Sequence, residues 1–260
     1  MYPFKKTNAR AGTTLMELTV AIFITSVVVT GVYRIYRFVT ISTDREKQKA
    51  ELQQQIITVS NLIERDIRMA GCGLPGNGVS THLVDTTNYH LSCYSNELRR
   101  QTTLSVGASS SDTRVIVADG TGFSTNGYVC LAEDGRDTVY RKINAIGIEG
   151  SGFDTLYLSM SIYHCNFTTG ATVYPATKVS YWVTTGSPKQ IKRYRNNIPI
   201  KIGTKLDSIL VVLKNAAGNP VGASVDDAAM VTVVVGGHVG TGGNRVFMAE
   251  STEVNIRNVN

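Results

Sequence analysis

Sixteen consecutive residues, Leu18 to Tyr33, carry no charge, and the polar stretch after them shows apolar residues at regular intervals. Counted from Thr13, the apolar segment has twenty-one residues, about 31 Å of helix at 1.5 Å per residue, or roughly one hydrocarbon thickness. Further on, Leu52, Ile56, Val59, Ile63, Ile67 and Ala70 are spaced 4, 3, 4, 4 and 3 apart, the mark of one buried helical stripe. Leu62 and Ile57 widen it. The other faces carry Arg45, Lys47, Lys49, Arg65 and Arg68 against Asp44, Glu46, Glu51, Glu64 and Asp66, a balanced solvated surface. Glu64 and Arg68 form a helix-supporting i,i+4 pair. Gly71, Gly73 and Pro75 then supply a stop. The pattern predicts one helix of roughly 55 residues, about 80 Å long, from Thr13 to Ala70. Its first half is long enough for a bilayer, and its second half is expected to lie on a globular domain.

From residue 74 the texture changes to β-branched runs broken by Gly, Ser, Thr and Asn. Strands are expected at Thr113–Ala118, Tyr128–Ala132, Thr138–Ile143, Thr155–Ser159, Thr172–Tyr174, Lys178–Val183 and Ile191–Arg195. Further strands are expected at Ser208–Leu213, Met230–Val235 and Val246–Arg257, with a turn at Asn215–Pro220 and a glycine-rich loop after Val235. Residues 74–110 read mostly as loop. The expected fold is α+β: a long N-terminal helix packed on a C-terminal antiparallel β domain.

Charge changes this picture little. The net charge of +6 includes Lys5, Lys6 and Arg10 in the first twelve residues, so the rest of the chain gives no general case for nucleic acid. Those three cations hold the N-terminus in the cytoplasm by the positive-inside bias, which places residues from about 39 onward on the far side of the membrane. Residues 1–12 lack an apolar core, so they are not an ordinary secretory signal. Four cysteines, Cys72, Cys93, Cys130 and Cys165, would then meet an oxidising compartment. Three connectivities are open; the sequence-nearest one, Cys72–Cys93 with Cys130–Cys165, is the expectation. Zinc is disfavoured because no C-x-x-C pair occurs and only His164 neighbours a cysteine.

Gly12-Thr13-Thr14-Leu15-Met16-Glu17 before the apolar run resembles the class III signal of type IV pilins and pseudopilins, in which a basic leader ends at a glycine. Thr13 stands where the usual first mature residue is Phe, and Met16 where it is Ile. The resemblance implies cleavage after Gly12 by a prepilin peptidase and N-methylation of Thr13. It implies that Glu17 sets register between subunits by meeting the Thr13 amine of a neighbour. Ile63-Glu64-Arg65-Asp66-Ile67-Arg68-Met69-Ala70-Gly71 is similar to the helix end of minor pilins of the PilW family. So are Val179-Ser180-Tyr181-Trp182-Val183 with Lys192-Arg193-Tyr194-Arg195, and the closing Ser251–Asn258. Residues 74–170 match no motif. J-type pseudopilins of type II secretion share part of the helix string, and remain the alternative. The implied organisation is a leader at 1–12, a membrane or filament-core helix at 13–38, its amphipathic continuation at 39–72 and a periplasmic β domain at 73–260. The implied partners are other minor and major pilins, the prepilin peptidase, the inner-membrane assembly machinery and the membrane itself, with a place near the pilus tip on the cell surface and no cofactor.

The chain offers little sign of catalysis. His82, His90, His164 and His238 are scattered, and Gly236–Gly243 follows a strand without opening a helix, so no phosphate cradle is expected. Asp134 with Asp137, or Asp226 with Asp227, lack EF-hand spacing. No nucleophile elbow occurs, and an enzyme is not expected. One charged feature remains: between Thr155 and Leu206 lie seven cations, Lys178, Lys189, Lys192, Arg193, Arg195, Lys201 and Lys205, and no acid. Lys192, Arg193 and Arg195, interleaved with Tyr181, Trp182 and Tyr194, form a candidate polymer-binding patch. The alternative, favoured here, is an edge hairpin whose charges discourage strand pairing or face an acidic neighbouring subunit.

Overall fold

The computed structural model describes residues 14–76, 78–83, 89–134, 138–149, 153–163, 165–184, 189–221, 229–239 and 245–256. The chain divides into two compact units, residues 1–50 and 51–260. One helix, α1 (Leu15–Met69, 55 residues), runs through the division, as the hydrophobic pattern requires.

In the first unit every residue from Thr14 to Gln48 is exposed. The apolar run reaches a mean hydropathy of 2.1 with none of it buried, and α1 is the one helix among the described residues long and apolar enough to cross a membrane. Its polar side chains are accommodated within the helix. Thr19, Thr25, Ser26 and Thr30 turn their hydroxyls back to carbonyls three or four residues earlier, at 2.7 to 3.2 Å. Such back-bonding meets these four hydroxyl donors within the helix, as an apolar medium requires.

Among the described residues, the second unit holds the end of α1 and thirteen strands. These are β1 (Val79–Leu83), β2 (Tyr89–Ser95), β3 (Thr102–Thr103), β4 (Arg114–Val117), β5 (Tyr128–Ala132), β6 (Val139–Glu149) and β7 (Phe153–Leu158). They continue with β8 (Thr172–Val183), β9 (Ile191–Arg195), β10 (Ile198–Gly203), β11 (Leu206–Lys214), β12 (Met230–Val239) and β13 (Val246–Asn255). The pairings are antiparallel throughout, in a ten-stranded sheet and a three-stranded β11-β12-β13 sheet. The larger sheet runs β1-β2-β8-β5-β6-β7-β4, with β9 and β10 continuing from β8 and β3 also on β8.

Leu52, Ile56, Val59, Ile63, Ile67 and Ala70 bury the docking stripe against both sheets, meeting Leu91, Tyr181 and Ile191 of one and Ile209, Val233 and Val254 of the other in a single core. A separate core lies among β4 to β7 and the adjoining loops, built on residues such as Val117, Leu131, Ile143 and Leu156. Gly71, with φ +71°, takes the left-handed position that ends α1, and its N–H donates to the Tyr94 carbonyl at 2.8 Å.

The strand pattern differs from expectation in four places. The 74–110 stretch contains β1, β2 and β3, and β2 joins the central sheet through β8. Expected strands at Thr172–Tyr174 and Lys178–Val183 are one strand, β8, because different partners take successive parts of it. β10 was not expected. It closes a two-residue hairpin through Asn196 and Asn197, both at positive φ, the conformation that suits a type I′ turn and that asparagine tolerates. β12 also continues through Gly236 and Gly237, where a loop was expected. A Cβ on Gly237 would lie 2.3 Å from the Lys205 carbonyl and 2.9 Å from Leu52 Cδ1, so only glycine lets β12 approach α1 this closely.

Candidate functional site

Gly12 and Thr13 lie outside the described residues, so the site at the head of α1 begins at Thr14. Thr14 N–H donates to Glu17 Oε2 at 2.9 Å, and Glu17 N–H donates to Thr14 Oγ1 at 3.3 Å. This reciprocal pair is a capping box, Thr-x-x-Glu, and it meets two backbone donors that a helix start otherwise leaves open. The motif is present in the sequence as Thr14-Leu15-Met16-Glu17, whereas the family resemblance gives Glu17 only an intermolecular role. The carboxylate is therefore held in a defined place by its own chain, beside exposed Leu15, Met16 and Val20.

A second polar constellation lies inside the β domain. Asp66, on the buried stripe of α1, accepts from the Tyr181 hydroxyl of β8 and from Arg193 Nε of β9, the latter at 2.9 Å. Arg193 Nε also reaches the Tyr181 oxygen at 3.2 Å. Arg65 Nη2 stands 3.4 Å from the other Asp66 oxygen. Asp66 and Arg193 side chains are 8% and 11% exposed, so this is a buried ion pair with its oxygens hydrogen-bonded. Burial pushes the Tyr181 hydroxyl pKa upward, and the Asp66 charge pushes it the same way. For Arg193, burial works against the charge, but the hydrogen bond to Asp66 and the Tyr181 and Asp66 fields outweigh it and raise the pKa. The three residues come from three separate strings noted in the sequence, and only the fold brings them together. With the Asp66 charge paired by Arg193 and the Tyr181 hydroxyl donating to it, the arrangement clamps the helix to the sheet.

Two more contacts tie α1 down at its other docking end. Gln55 Oε1 accepts from the backbone N–H groups of Thr204 and Lys205 at 3.3 and 3.4 Å, and Lys205 Nζ meets Glu51 Oε2 at 2.5 Å.

The candidate basic patch does not hold together as the sequence suggested. Arg193 faces inward to Asp66. Arg195 reaches both oxygens of Glu97, at 3.2 and 3.1 Å. Lys192 keeps to the opposite face of β9, where strand alternation puts it beside Trp182. Alternation along β9, which sends neighbours to opposite faces, is the signal that separates Lys192 from Arg193 and Arg195.

The expected disulfides are replaced by four free thiols. Cys93 is buried in the core beneath α1, whereas Cys72 is partly exposed in the turn beyond it. Cys130 belongs to a small core with Leu74, Tyr94 and Ala176, and Cys165 packs against the β4–β7 core. Cys72 and Cys93 thus differ in burial, and Cys130 and Cys165 pack in different cores. Burial pushes the Cys130 thiol up to about 12, and burial followed by the Asp66 charge raises that of Cys93.

Among the histidines, His90 stacks at a tilt with Trp182, ring centroids 5.5 Å apart, and His238 Nδ1 lies 2.7 Å from Asp207 Oδ2. His164, Asp137, Asp226, Asp227 and Gly240–Gly243 lie outside the described residues, as does the side chain of His82. No group of three or more His, Cys, Asp or Glu that could hold a metal ion occurs among the described residues. Comparison with protein-family models, with curated proteins and with solved structures finds no match to this chain.

Proposed function

We propose that this chain is a structural subunit of a type IV filament, a minor pilin of the PilW kind. It is made as an inner-membrane precursor, trimmed after Gly12, methylated at Thr13 and carried into the pilus near its tip. The observation that carries this reading is the uncovered apolar run of α1, headed by an ordered Glu17 five residues beyond Gly12. An uncovered helix of this length is stable in lipid or against other such helices, and not in water. In the filament, the Glu17 carboxylate leaves water for a site walled by apolar helices. It then needs a cation, and the free Thr13 amine of the next subunit supplies one while fixing register. The β domain presents its surface to neighbouring minor pilins, and the Asp66 clamp keeps that surface at one setting on the helix. The chain acts by assembly and not by catalysis.

N-terminal sequencing of the mature protein, with a Glu17→Ala variant alongside, tests the proposal. The expected mature N-terminus is methyl-Thr followed by Thr-Leu-Met-Glu. The variant is expected to fold normally and to be missing from purified pili. An intact Met1, or normal incorporation of the variant, sinks the reading. Co-purification of the trimmed chain with a secretion complex instead of pili moves it to the J-type pseudopilins.

A further inference from the structure

Of the seven cations between Thr155 and Leu206, four have structural partners. Arg193 faces Asp66, Arg195 faces Glu97, and Lys205 faces Glu51. Lys178 sits over the rings of Tyr94 and Tyr128, 5.5 and 5.4 Å from their centroids. Lys192 and Lys201 have no ion pair among the described residues, and they are direct cross-strand partners on β9 and β10. Like charges in that position oppose strand pairing. A local conflict of this kind is expected where a ligand, and not the fold, provides compensation.

The third member of the row is Trp182, the β8 partner of Lys192. Its neighbour Tyr181 is fully buried, while Trp182 is 41% exposed on the opposite face. Tyr194 meets it edge-on at 5.0 Å and at 87°, and His90 flanks it at 5.5 Å. Two ring contacts hold the indole, so stacking on it costs little further side-chain entropy. The row therefore presents a fixed aromatic surface followed by two cations, spaced by strand separations of about 4.8 Å. On the other face of the same strands Arg193 and Tyr181 are occupied with Asp66, so the two faces of one hairpin have separate tasks.

We propose that this outer face, centred on Trp182 with Lys192 and Lys201, binds single-stranded nucleic acid, a base stacking on the indole and the lysines meeting phosphates. Such sites join a cationic track to an aromatic platform and read little sequence, because every base has a ring face. The modest overall charge does not bear on this, since the relevant charge lies along one row of one face. The proposal is independent of filament assembly.

The test uses the full chain in a non-ionic detergent with a fluorescent oligothymidylate of roughly twenty nucleotides. Trp182→Ala is expected to weaken binding about ten-fold, within the range seen for loss of one stacked base. Trp182→Phe, which retains a ring face, is expected to keep most of the affinity and serves if the alanine variant does not fold. The double variant Lys192→Gln, Lys201→Gln is expected to reduce the slope of log affinity against log salt by about 1.4, two phosphates at 0.7 each. Absence of micromolar binding overturns the proposal. So does binding that these variants leave unchanged, or an acidic polysaccharide bound in place of the oligonucleotide with the same dependence on Trp182.

Discussion

The two halves of α1 share one backbone conformation and have opposite surroundings. From Leu15 to Ile41 every large apolar side chain is exposed, whereas from Leu52 to Ala70 the apolar stripe is almost entirely buried. The first stretch is apolar on all faces and finds no cover among the described residues. The second is apolar on one stripe and finds two sheets. Periodicity is therefore the better guide to what a helix needs than apolar content: an all-round apolar helix needs a medium or many copies, and a striped one needs a single surface. The polar residues follow the same division. In the first stretch hydroxyls bond back into the helix, while in the second Asp66 reaches across to Arg193 and Tyr181.

The comparison is broken most severely by Arg193→Ala, which takes the buried counter-ion from Asp66 and leaves it only the exposed Arg65 at 3.4 Å. The expected loss is about 3–5 kcal/mol in the stability of the β domain, read by urea unfolding in detergent. A loss below about 1 kcal/mol shows that water reaches Asp66 and that the clamp is misassigned. Next comes the contrast between Ile63→Ala and Val28→Ala. The first empties a site in the core and is expected to cost about 2–5 kcal/mol, while the second removes methyl groups from an exposed position and leaves the same transition unmoved. Equal effects of the two would abolish the distinction between the halves. The smallest effect is chemical. In the folded chain at pH 8, Cys72 and Cys165 are expected to alkylate well before Cys93 and Cys130, read by mass spectrometry, and all four to react after denaturation without reductant. Mass showing a bond between any two removes the free-thiol account. The raised Cys130 pKa also has a sign. The folded thiol stays protonated where the unfolded one ionises, so its contribution to stability is whole below about pH 9 and is lost as the pH climbs toward 12.

What a sequence displays of its fold depends on the range of each signal. The extent of α1, its stop at Gly71 and the stripe Leu52 to Ala70 depend on neighbours three or four residues apart, and the sequence displays them directly. The strands β5 and β9 were placed because turn residues bound short β-branched runs on both sides. β1 and β2 were missed because residues 74–110 mix polar residues with tyrosines and histidines, and such strands become regular only when β8 supplies the ladder. β10 was missed because Asn196-Asn197 is a weaker turn signal than Asn-Gly and Pro199 argues against a strand; at the edge of the sheet its missing N–H is tolerated. The basic patch was read as one feature because adjacent residues look equivalent on paper. Strand alternation sends Arg193 one way and Lys192 the other, and only the register with Tyr181 and Trp182 shows which residue meets Asp66.

By itself the sequence determined the local and periodic properties: one long helix, its apolar and striped halves, the Thr14–Glu17 cap, and a β-rich remainder. These depend on interactions within a few residues, where spacing is nearly the whole of the geometry. The tertiary structure decided which side chains separated by 115 or 127 positions share a hydrogen bond, which cysteines are buried, and which cations remain for a partner. Those outcomes depend on register and face, and a shift of one residue in strand pairing would reverse each of them.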